Sequence, residues 1–92
     1  LTLPPNTVNQ LCLNTVTFKT QATDDLDQWR TQAKKIRDDW VGRGDDWTQE
    51  VAFMDALLAI LDDTEPTIPD DNPYAEAVQA VQELIAEYDE TE

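Results

Sequence analysis

The chain has no histidine and a single cysteine, Cys12. A zinc finger, a disulfide framework, a Ser-His-Asp triad and imidazole-based proton transfer are thereby excluded. Basic residues are scarce as well: six Lys and Arg stand against twenty Asp and Glu, a formal charge of −14. Direct binding of nucleic acid needs clustered Lys and Arg on the phosphates, so it is excluded too. Long apolar runs are missing. The best candidate, Val51 to Leu61, is broken by Asp55 and falls short of the roughly 18–20 residues of a membrane span. No basic and apolar leader opens the sequence. It begins at Leu1 without Met, which suggests a fragment of a longer chain. One cysteine gives no sign of an oxidising compartment, so a cytoplasmic protein is expected.

What is present is unevenly placed. Residues 1–43 hold all six bases and five acids, a net +1; residues 44–92 hold fifteen acids and no base, a net −15. High charge favours disorder when apolar residues are few. Here they make up 40% of the chain, and the most apolar run lies in the acidic half. The expectation is therefore a single acidic helical domain over residues 1–92.

Helical periodicity recurs four times. Leu26, Trp29, Ala33, Ile36 and Trp40 step by three and four residues, with Thr23 placed as N-cap, acids in the first turn and Gly42 and Gly44 as stop signals. Trp47, Val51, Met54, Leu58 and Leu61 repeat the pattern, and Phe53, Leu57 and Ile60 widen it, as expected of a central helix. Asp46 with Gln49 resembles a capping box at its start. Tyr74, Val78, Val81, Ile85 and Tyr88 form a further stripe, after Asn72 as cap and Pro73 at the first helical position. The first segment reads two ways. Val8, Leu11, Cys12, Thr15 and Val16 fit a helix, while the Thr and Val of residues 14–20 favour a strand. Helix is preferred, since a lone strand has no partner here. The expected architecture is an all-α bundle of about four helices, at 6–19, 23–41, 46–62 and 72–89. Pro66 and Pro69 hold the last connection extended, with Ile68 anchoring it. Thr2-Leu3-Pro4 before Asn6 echoes Thr67-Ile68-Pro69 before Asn72, either a trace of duplication or a coincidence.

Most short motifs have plain readings. Arg43-Gly44-Asp45 spells an adhesion triplet but falls in an expected helix-helix turn. The five Asp pairs spell no EF-hand loop, and adjacent Asp residues on a helix diverge by about 100°, so no metal site and no cofactor is expected. The loop from Asp62 to Asp71 would be the best place for an ion. Paired carboxylates could serve acid/base chemistry, but only in a cleft that raises one pKa, for which a bundle this small has little room. No catalytic residue is assigned. Cys12 lies on the expected apolar face as a small core residue.

Residues 50–61, EVAFMDALLAIL, followed by residues 67–78, TIPDDNPYAEAV, resemble a helical module associated with tetratricopeptide-type repeats in bacterial, chiefly cyanobacterial, multidomain proteins. The resemblance covers residues 48–86, and Pro69-Asp70-Asp71-Asn72-Pro73-Tyr74 is its most specific element. It implies a helical scaffold or partner-binding role and brings no catalytic residues.

The function expected is thus a non-enzymatic protein–protein interaction or scaffold module with an acidic C-terminal half, either part of a larger scaffold or docked on a basic protein partner. The alternative is an acidic mimic of nucleic acid that fills the basic groove of a DNA-binding protein, which needs carboxylates on one continuous face. Candidate partner-binding residues are Trp40 and Trp47, which flank the glycine turn, and Asp62, Asp63, Glu65, Asp70, Asp71, Glu76, Glu83 and Glu87. Arg30, Lys34 and Arg37 are expected to face acids of the third or fourth helix.

Overall fold

The computed structural model describes residues 3–90. They form four α-helices, α1 (Pro5–Thr20), α2 (Leu26–Val41), α3 (Thr48–Leu61) and α4 (Ala75–Glu90), and no strand. The Thr-rich first segment is helical throughout. Two of its four threonine hydroxyls bond back into the helix: Thr15 Oγ1 donates to Leu11 O at 2.9 Å and Thr20 Oγ1 to Val16 O at 2.7 Å. Back-bonding of this kind lets threonine sit inside a helix despite its strand preference.

The helix starts depart from expectation in three places. Thr23 and Asp46 do not cap with their side chains. Each lies in a single 3₁₀ turn, Thr23–Asp25 before α2 and Asp45–Trp47 before α3. Asp46 and Gln49 therefore form no capping box; Thr48 Oγ1 instead donates to Asp45 O at 2.7 Å. Before α4, Asn72 Oδ1 does accept the Tyr74 amide at 2.8 Å, but residues 72–74 are a turn and regular helix begins at Ala75. Asn72 is held back because it is buried and its Nδ2 also donates to Gln49 O at 3.2 Å, tying it to the start of α3.

Helix α3 ends without glycine. Asp63 takes a left-handed conformation (φ 61°), the Asp63 amide donates to Ile60 O at 3.2 Å and the Thr64 amide to Ala59 O at 2.9 Å. This pair of bonds is a Schellman motif, with Asp in the place glycine usually takes. At the other turn Gly44 has φ 103°, which explains a glycine there.

Side-chain pairings set the topology. Trp29 of α2 stacks on Phe18 of α1 at 6.2 Å and donates from Nε1 to Thr15 Oγ1 at 3.3 Å, so α1 and α2 form an antiparallel hairpin. Arg30 with Asp62, Arg37 with Asp55 and Trp40 with Trp47 do the same for α2 and α3. The connection of residues 62–74 then runs back to the start of α3, where Tyr74 meets Phe53 (5.1 Å between rings) and Glu50. Helix α4 consequently lies parallel to α3, and parallel to α1, against which it packs closely. An α3 of 14 residues is about 21 Å long, so a direct hairpin loop could not make this return. The extended proline-containing crossover can, and Ile68 packs it on the core as expected.

The core centres on α3, with Phe53, Met54, Leu57 and Leu61 essentially inaccessible, joined by Trp29, Ala33 and Trp40 of α2 and by Tyr74, Val78 and Val81. Leu3 also packs against it, opposite Ile68 in the sequence echo; Thr2 of that echo lies outside the described residues. No helix among the described residues is long and apolar enough to cross a membrane.

Candidate protein-binding surface

The ten candidate residues fall into three groups. Trp40 and Trp47 form one. Each reads equally well as a core or an interface residue from sequence; in the structure Trp40 is buried, at 8% exposure, while Trp47 is half-buried. Their rings lie 5.5 Å apart and the Arg43 guanidinium sits 4.6 Å over Trp47, itself held by Asp39 at 2.9 Å. These contacts occupy the indole faces in clasping the α2–α3 turn, which leaves little of Trp40 for a partner.

Asp62 and Asp63 form the second group, at the end of α3. Asp62 Oδ1 is 2.8 Å from Arg30 Nε, and Asp63 pairs with Lys19 of α1. Arg30 Nη2 also lies 3.4 Å from Leu61 O, where a cation satisfies the helix C-terminus. Of the bases expected to face acids of α3 or α4, Arg30 and Arg37 do, Arg37 reaching Asp55 at 3.6 Å. Lys34 does not: it is exposed and makes no ion pair among the described residues. Four of the six bases (Lys19, Arg30, Arg37 and Arg43) are thus engaged by acids of the same chain.

The third group is Glu65, Asp70 and Asp71 on the crossover and Glu76, Glu83 and Glu87 on α4. All six are exposed, and none makes an ion pair among the described residues. Helix α4 has no Lys or Arg. Its three Glu, with Ala80, step by four, three and four residues and so line one stripe. Among the described residues no three or more Cys, Asp or Glu side chains come together in a way that could hold a metal ion.

Two features were missed from sequence. One is Glu50, a carboxylate with 1% exposure inside the core. Its Oε2 accepts from Tyr74 Oη at 2.7 Å, Tyr74 Oη accepts from the Leu3 amide at 2.8 Å, and Oε1 is buried with no hydrogen-bond partner. Burial, and then the Glu50 carboxylate, push the Tyr74 phenol above its ordinary pKa, against the opposing effect of the Leu3 amide. The second is an apolar groove of about 320 Å³ between α1 and α4, with Cys12, Val16 and Val81 along its floor and Leu13 and Leu84 at its edges. Leu13 and Leu84 are 59% and 50% exposed. Cys12 is half-buried there, and burial pushes its thiol up to about 11. The available signal was that Leu13 and Leu84 lie off the apolar stripes of their helices.

Compared with protein-family models, curated proteins and solved structures, the chain has no significant match.

Proposed function

We propose that the domain is a non-enzymatic protein-interaction module that meets a basic partner through its acidic C-terminal half. The observation carrying this reading is the division of charges. Most bases are spent on acids within the domain, while the crossover and the outer stripe of α4 keep six exposed carboxylates with no base among them. Such a surface speeds association with a cationic protein and makes binding sensitive to salt. The resemblance of residues 48–86 to helical modules beside tetratricopeptide-type repeats agrees with a scaffold setting. Mimicry of nucleic acid is the weaker reading, because Asp62 and Asp63, two of its eight carboxylates, are tied to Arg30 and Lys19.

Neutralising the six carboxylates tests the proposal: Glu65, Glu76, Glu83 and Glu87 to Gln, Asp70 and Asp71 to Asn. Bait chains are compared for capture of proteins from a bacterial lysate. The native chain is expected to retain basic proteins that elute at about 0.5 M salt, and the neutralised chain to lose them. Equal capture by both chains overturns the reading; displacement of the captured proteins by DNA would favour mimicry.

A further inference from the structure

The α1/α4 groove is an unusual feature on a chain of charge −14. Among the described residues the large apolar side chains left exposed are Leu13, Val41 and Leu84, and two of these three stand at its edges. Helix α1 carries one charge in sixteen residues, Lys19 at its last turn, and that charge is paired with Asp63. The α1 rim is therefore neutral: Asn6, Asn9, Gln10 and Leu13 are exposed along it, and Asn9 and Leu13 line the groove. The opposite rim is the stripe of Glu76, Glu83 and Glu87, adjacent on the α4 surface to the groove-lining row of Ala77, Ala80 and Leu84. An apolar floor is thus bordered on one side by a row of carboxylates and on the other by uncharged side chains.

From this arrangement we infer that the groove is the docking site for an amphipathic helix of a partner protein, with apolar side chains seated between Leu13 and Leu84 and Lys or Arg along the edge that faces Glu76, Glu83 and Glu87. The inference deepens the proposed function and rests on it. Three observations select this occupant. The trough between two parallel helices accepts the ridge of a third, and the small Ala77 and Ala80 on α4 let its backbone come close. The acidic rim has no base in its own helix, so cationic side chains supply the complement. A second copy of the chain would supply the wrong sign, bringing another −14 against this one.

The test uses a synthetic helical peptide with a Leu and Ala stripe and Lys on one flank. A second peptide has Glu in place of Lys, and a third has the Lys composition in scrambled order. Each is titrated into the isotopically labelled chain and followed by amide chemical shifts. The Lys peptide is expected to shift the amides around Leu13, Ala80 and Leu84, and to weaken with added salt. The Leu84→Glu and Leu13→Glu variants, at half-exposed sites that leave the core intact, should each weaken it about tenfold or more. Equal binding of the Glu peptide or of the scrambled peptide at the groove overturns the inference. Shifts confined to residues 62–71 also overturn it, while leaving the acidic-module reading standing. Sedimentation showing a dimer that Leu84→Glu dissolves would assign the groove to a second copy and overturn it as well. If no peptide binds the groove, the inference fails; the capture experiment with the neutralised chain then decides the broader reading separately.

Discussion

Tyr74 Oη joins two distant parts of the chain, donating to Glu50 Oε2 at 2.7 Å while accepting from the Leu3 amide at 2.8 Å. The first bond fixes the end of the crossover on the start of α3; the second holds the residue that leads into α1. Removing the hydroxyl strands a buried carboxylate oxygen and an amide at once. Tyr74→Phe is therefore expected to lower stability by about 1–3 kcal/mol, the cost of unpaired buried polar groups, with the ring packing on Phe53 unchanged. Urea unfolding measures it. A loss within experimental error would show that water replaces the phenol.

The groove cysteine gives an alkaline signature. Burial holds the Cys12 thiol above its ordinary 9.0, at about 11. The folded chain therefore keeps a proton that the unfolded chain gives up. The stabilisation is whole below pH 9 and is lost as pH rises toward 11, amounting to about 1–2 kcal/mol after allowance for partial exposure. Tyr74, also raised, adds a loss beginning near its ordinary 10.0. Cys12→Ala should flatten the decline between pH 9 and 10 and make it shallower between 10 and 11, where the Tyr74 loss remains. Denaturant midpoints across that range check the order.

Asp63 pits two effects against each other. Its left-handed φ of 61° costs a non-glycine residue about 1 kcal/mol, while its exposed pair with Lys19 contributes about 0–1 kcal/mol. Asp63→Gly is expected to raise stability by a few tenths of a kcal/mol (about 0.5). Asp63→Val, which keeps neither the pair nor an easy left-handed backbone, should lower it by about 1–2 kcal/mol. The difference between the two variants in a thermal melt isolates the backbone effect.

Salt should stabilise the domain. Its ion pairs are mostly exposed and contribute little, whereas the fifteen acids of residues 44–92 repel one another with no base among them. Raising the salt from about 0.02 to about 0.5 M is expected to raise the melting temperature. A fall would mean that attraction between the two halves outweighs the repulsion.

The helices were legible because apolar spacing survives in a single chain: the stripes through Trp29 and Trp40, Phe53 and Leu57, and Val78 and Val81 all turn inward. Their starts were less so. Thr23 and Asp46 have good capping side chains, but a 3₁₀ turn satisfied the backbone first. The stop of α3 escaped notice because Asp63 does a glycine's work. Of the surface, the acidic stripe of α4 could be read from spacing alone. The groove could not, since it needs α1 and α4 side by side, and only the length of the crossover hinted that α4 would return parallel to α3. Glu50 was hidden for a related reason: its partner Tyr74 is 24 residues away and arrives only by that return.

The seam between α1 and α4 also has a consequence for the order of assembly. Helices α1, α2 and α3 can meet through neighbouring hairpins, contacts that are close in sequence and quick to form. Helix α4 has to cross back and settle against the first helix of the chain, closing the largest loop of all. The groove is therefore a composite of the first and last helices of the domain. It does not exist on a partly synthesised or clipped chain, and a ligand seated in it would stabilise the closure of the whole bundle.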